Sequence, residues 1–203
     1  MISDTGKSRI AWLGALILAL VLALSCMPVA TVGTELTRNT IRLSLAWYFV
    51  ALILMMGLPR QERNATTRRG RIARWCWTWG VVCFVLHLVA AFQFFHQWSH
   101  AHAFEHTREV SGIGQGIYVS YLFTGLWILD TIWWWCWPQE FATRSIWWDR
   151  CLHAFMLFIV FNGTIVFETG MIRFVGATMF VILAAAWVQV LLRRMSGERL
   201  VVR

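Results

Sequence analysis

The chain has 203 residues, 59% of them hydrophobic and 14% charged, with fourteen Trp, fourteen Phe and a net charge of +8. A water-soluble domain of this size cannot hide so much apolar surface, and this composition also excludes disorder, a collagen-like repeat and a secreted disulfide scaffold. An all-α integral membrane protein remains.

Crossing a hydrocarbon core takes about 20 apolar residues, and the sequence predicts six such spans. The first covers residues 10–30. Lys7 and Arg9 before it also fit the start of a signal peptide, and Ala23-Leu24-Ser25-Cys26 resembles a lipoprotein cleavage box that would make Cys26 the acylated first residue. A retained span is the preferred reading, because the apolar run continues past Cys26. The others cover 41–58, 75–98, 117–137, 147–168 and 171–192, separated chiefly by an Arg-rich loop over 59–74 and an outer loop over 99–116. Strands are excluded because runs this long lack turn signals and do not alternate as barrel strands would. With no internal repeat and no broken helix pair, residues 1–203 read as one six-helix transmembrane domain, and a transporter is disfavoured.

Lys and Arg accumulate in cytoplasmic segments. With the N-terminus inside, Lys7, Arg9, Arg60, Arg63, Arg68, Arg69, Arg71, Arg74, Arg144, Arg150, Arg193, Arg194, Arg199 and Arg203 are all cytoplasmic, fourteen of the eighteen basic residues. Arg38, Arg42, Arg108 and Arg173 fall outside. Both termini are therefore expected in the cytoplasm, and the basic charge reads as topology and anionic-lipid contact rather than nucleic-acid binding. Trp75, Trp77, Trp79, Trp133, Trp134, Trp135, Trp137, Trp147 and Trp148 are expected at headgroup level at cytoplasmic helix ends. The five Cys contain no C-x-x-C and read as packing residues, and the Asn64-Ala-Thr66 sequon is dismissed because its loop is cytoplasmic.

Ionisable residues inside a membrane are functional candidates by default. His87 in span three lies about 19 Å from the cytoplasmic end, at the depth of Asn162, while His153 in span five lies about 8 Å from that end. Asp130 in span four comes within about 10 Å of it, so Asp130 and His153 can meet, with Arg150 one turn below as a second partner for the acid. A structural interhelical hydrogen bond weighs evenly against a cofactor or proton-relay role. Outside, His96, His100, His102 and His106 fall within eleven residues. In a helix they form two i,i+4 pairs, which with Glu105 and Glu109 would suit zinc, copper or iron; a solvated His-rich loop is the bland alternative.

From Thr37 to Arg194 the order of features resembles the ferric-reductase-like transmembrane domain, in particular the haem-binding membrane subunits of bacterial periplasmic methionine sulfoxide reductase systems. The resemblance rests on the entry at Arg38 to Arg42, on Arg68-Arg69-Gly70-Arg71 followed by Leu86-His87, and on Trp148-Asp-Arg-Cys-Leu152-His153. It implies haem b, with His87 as the outer and His153 as the inner ligand, and electron transfer involving a redox partner protein or the quinone pool. The chain departs from the pattern at Val166, where span five would carry its second histidine, and at Ala73 and Arg74, where larger members carry an inner one. The expectation is a haem-binding electron-transfer subunit in a bacterial inner membrane, with Asp130 and Arg150 beside the cofactor. The alternative is a non-catalytic assembly or interaction protein whose outer histidines bind a divalent metal. No Ser-His-Asp set, phosphate loop or nucleotide fingerprint supports a soluble-type active site.

Overall fold

The computed structural model describes residues 5–27 and 29–195, and among them every regular element is helical. Five helices, with their short continuations, are long and apolar enough to cross a membrane: α1 (Thr5–Cys26), α2 (Val32–Gly57), α3 (Arg68–Ala91), α7 (Ile146–Phe161) and α8 (Met171–Met195). A sixth span results when α4 (His100–Ser111) and α5 (Gly116–Cys136), bent by 106°, are taken together. The short α6 (Pro138–Thr143) lies between α5 and α7. Leu16, Leu20, Phe158, Val181 and Trp187 are each more than half exposed. An exterior this apolar is compatible with lipid around it. Of the expected cytoplasmic cations, the side chains of Lys7 and Arg194 and all of Arg199 and Arg203 lie outside the described residues.

The tightest pairing is α2 against α3. Ser44 donates to the Gly80 carbonyl at 2.8 Å, and seven residues away on each helix, in antiparallel register, His87 Nδ1 meets the Thr37 carbonyl at 2.9 Å. Small residues at the contact let the backbones approach: a Cβ on Gly80 would lie 2.7 Å from the Trp127 ring and 3.5 Å from the Tyr48 backbone nitrogen. Around this seam Tyr48, Trp77 and Trp127, all nearly inaccessible, pack with ring centroids 5.3–5.6 Å apart. α1 joins the seam through Asn39, which donates to Ser25 at 3.1 Å.

Three expectations change. Trp77 and Trp134 are core residues rather than headgroup anchors, whereas Trp135, Trp137, Trp147 and Trp148 do face outward. Cys76 and Cys83 pack inside, but Cys26, Cys136 and Cys151 are exposed. The segment over 99–116 contains a capped helix: the Ser99 hydroxyl accepts from the His102 N–H, and Gly112, at φ +79°, ends α4 with the left-handed turn that glycine adopts freely. The sharp bend that follows is a break in helical structure, contrary to expectation.

Gly80→Val should destabilise the protein by about 1–3 kcal/mol, since overpacking a seam without slack forces its rings apart. Thermal unfolding in detergent measures this. An unchanged midpoint would show that α2 and α3 can part at no cost.

Candidate functional site

Polar groups collect at two places, one at each end of the bundle. At the Arg-rich end, Arg144 follows α6 and is driven inward because Ser145 caps α7 and turns the chain. Its side chain is 2% exposed. It pairs with Asp130 of α5, donates from Nε to Asp149 of α7 at 2.6 Å, and lies 3.9 Å above the Phe141 ring. Arg63, in the one-turn helix over Arg60–Asn64, reaches the other Asp149 oxygen at 2.6 Å, and Arg60 donates to the Arg144 carbonyl. Trp134 closes the group by donating its indole N–H to the Arg63 carbonyl at 2.5 Å. Burial pushes the Arg63 guanidinium below its ordinary value and Asp149 beside it opposes that shift. A guanidinium stays charged under such a shift. Three cations thus share two carboxylates, joining four chain segments.

The sequence reasoning missed Arg144, Asp149, Arg60 and Arg63 as one group. A signal was present in Asp149, a carboxylate in the first turn after a Ser cap. Arg150 was expected beside Asp130, but its guanidinium lies over the Trp147 ring at 5.4 Å. Asp149 faces inward, so the next residue points about 100° round the helix and outward. Asp130 and His153 do not pair, because Trp77 stands between them. Its indole N–H lies near the Asp130 carboxylate without a hydrogen bond to it, and its ring meets His153 edge-on at 5.5 Å. Trp77 Nε1, Asp130 Oδ2 and His153 Nδ1 are all buried without a hydrogen bond of ordinary length.

At the opposite end a cavity of about 330 Å³ opens between α2, α3, α5 and α7. Tyr48, Phe84, His87 and Trp127 line it, together with Arg38, Arg42 and Glu168. The Thr37 carbonyl can only accept, so His87 donates from Nδ1, which leaves Nε2 as the ring nitrogen available to another partner. Two more cavities adjoin. One, also about 330 Å³, shares Arg42, Leu45, Thr164 and Ile172 and runs between α2 and α8 past Val175 and Met179. The other, about 490 Å³, shares Ser120, Ile159 and Gly163 and lies beneath α4, where His106 and Val110 border it. The wall common to all three is the π-helical turn Asn162–Val166 that continues α7. Such turns are rare and tend to occur at functional sites. Asn162, expected at the depth of His87, donates to Phe158 of its own helix.

The outer histidines do not form two pairs on one helix. A π-helical turn over Phe92–His96 ends α3, and Gln97 and Trp98 at φ +50° and +57° turn the chain, so His96 and His100 lie on different elements. The His96 ring instead lies 5.4 Å from that of His106, and His100 Nδ1 meets the Tyr121 hydroxyl at 3.0 Å. His102 and His106 share α4 at the expected spacing. Among the described residues, no three His, Cys, Asp or Glu side chains converge to hold a metal ion.

The histidines implied for haem do not fit a haem held between α3 and α7. From His87 the rings of Phe84, Trp127, Trp77 and His153 follow one another with centroids 6.0, 5.7, 5.3 and 5.5 Å apart. That column fills the space where a macrocycle would lie. Val166, at the position of the missing second ligand, is 46% exposed on the surface of the bundle.

Arg144→Ala should cost about 3–5 kcal/mol, because it leaves Asp130 buried without its cation. Joint replacement by Arg144→Met and Asp130→Leu should unfold at a higher temperature than Arg144→Ala alone; the reverse order would show that the pair itself, not the uncompensated charge, dominates. Comparisons with models of known protein families, with curated proteins and with solved structures give no match to this chain.

Proposed function

We propose that this is a six-span protein of a bacterial inner membrane, with both termini in the cytoplasm, that binds a small amphipathic molecule in the cavity beside His87. The Arg-rich end is then cytoplasmic and α4 lies at the outer surface. Cations at the first end and exposed Trp98, Val110 and Ile113 around α4 support that orientation.

The observation that carries the reading is a concave, largely apolar site with a few oriented polar groups. That is the usual form of a small-molecule site, and its volume lies at the lower end of the usual range, about 300–1,000 Å³. Its apolar annex between α2 and α8 suits a molecule dissolved in lipid rather than one arriving from water. An isoprenoid quinone, the membrane partner implied by the resemblance to ferric-reductase-like domains, is one amphiphile of this shape. Electron transfer through haem is no part of the proposal, since the histidine pair does not fit one.

Gly163 provides the test. A Cβ there meets no protein atom within 4 Å, and the residue borders two of the cavities, so Gly163→Phe should fill space without disturbing the bundle. Native mass spectrometry of protein released from nanodiscs should show one bound amphiphile on the parent protein and at least about tenfold weaker retention in the variant, a loss of about 1.4 kcal/mol. Equal retention by a variant of unchanged thermal stability would sink the proposal. Orientation is tested separately, in a background with Cys26, Cys136 and Cys151 replaced by Ala. An impermeant maleimide applied to intact spheroplasts should label Glu105→Cys and spare Gln61→Cys, and the opposite pattern would invert the topology.

A further inference from the structure

The amphiphile carries an acidic head, we infer: a phosphate or carboxylate seated at Arg38 and Arg42, with its chain leaving the bundle between α2 and α8. This rests on the reading of the cavity as a binding site and specifies what it binds.

Cations on this side of the bundle stand against the charge pattern of the chain. Basic residues on the outer side oppose the rule that orients the chain, and only four of eighteen are expected there. Two of those four, Arg38 and Arg42, line one cavity, and a third, Arg173, adjoins its lining residue Ile172. The fourth, Arg108, is held by Glu105 on α4 at 2.7 Å. Half of the four outward cations thus line this one opening.

The lining guanidiniums also keep donors free for a ligand. Arg42 donates to Asn39 at 3.3 Å and has no carboxylate at ion-pair distance among the described residues. Arg38 is only loosely paired with Glu35, at 3.9 Å. Arg173 points its Nε at the Ile165 carbonyl, 2.8 Å away. Glu168 is the one acid lining the cavity, and with Glu35 beside Arg38 this leaves Arg42 as the lining cation with no carboxylate at ion-pair distance among the described residues. Forked guanidinium donors match the oxygens of a phosphate or carboxylate, and a quinone head has no charge to offer them.

An apolar exit adjoins these arginines. Arg42 borders both the head cavity and the one between α2 and α8, so a head held there places its chain against Leu45, Ile172, Val175 and Met179. Val175 is 49% exposed on the outer surface of the bundle. A chain leaving by that route continues into lipid, which distinguishes a lipid-borne acid from a soluble anion.

The test uses the full-length protein in phosphatidylcholine nanodiscs, with binding followed by native mass spectrometry. Four probes separate the terms: lysophosphatidate, a monoacylglycerol of the same chain, a decyl quinone, and inorganic phosphate. Lysophosphatidate should bind one-to-one and at least about tenfold more tightly than the two neutral amphiphiles, and millimolar phosphate should not displace it. Arg38→Gln with Arg42→Gln should abolish that preference while leaving monoacylglycerol binding intact. The inference is overturned if the neutral amphiphiles bind as well as the acid, if the preference survives in the double variant, or if phosphate alone competes. If none of the amphiphiles binds, the cavity reading falls as well, which is a distinguishable result. Unsaturable, many-copy uptake would also overturn it, since it would mark headgroup attraction at the surface.

Discussion

Burying a guanidinium is costly, and Arg144 meets that cost by being held between two carboxylates on two different helices. Asp130 comes from α5 and Asp149 from α7, while Arg63 and Arg60 bring the connection between α2 and α3 onto the same group. A charge left unpaired in that position would be expelled or would drag the helices apart. The pairing therefore decides how α3, α5 and α7 converge at one end of the bundle, and all that lies farther along those helices inherits the convergence. Such a network specifies an arrangement more surely than it adds net stability.

From that end the packing becomes aromatic. Trp77 sits between Asp130 and His153, and beyond it Trp127, Tyr48 and Phe84 continue in ring contact toward His87. Large, stiff side chains fill the middle, and filling it removes the room a macrocycle would need between the two membrane histidines. Space reappears only where the column stops, at the end where α7 loosens into a π-helical turn and α8 packs against that turn. A backbone carbonyl of α2 orients His87 at that point. The cavity and the clamp are thus opposite ends of one packing arrangement.

Most of the fold is legible in sequence. Five of the six predicted spans correspond to helices that pass as spans by themselves, because apolar length is a local property that needs no knowledge of neighbours; the remaining one, 117–137, is α5, which passes only together with α4. Ser99 and Gly112 bracket α4 with recognisable caps, so a helix in that loop could have been read from the chain. The site was less legible. Asp130, His87 and His153 are conspicuous as polar residues in apolar runs, but which partner each meets depends on helix rotation, and one residue of rotation exchanges Asp149 for Arg150. Trp77 illustrates the same limit, since a Trp near a helix end reads as a headgroup anchor until a neighbouring helix covers it.

What can be read along the chain is that it is helical, that its helices are long and apolar enough to cross a membrane, and that its cations gather at alternate connections. Each of these follows from composition along the chain and from what lipid excludes. Tertiary structure alone decided that Arg144 holds Asp130, that aromatic rings part the two membrane histidines, and that Arg38 and Arg42 share an opening with His87. Those outcomes depend on which faces of the apolar helices meet, and where every face is greasy, hydrophobicity does not choose the meeting face. Small residues at Ser44 and Gly80 and the few buried charges chose it instead.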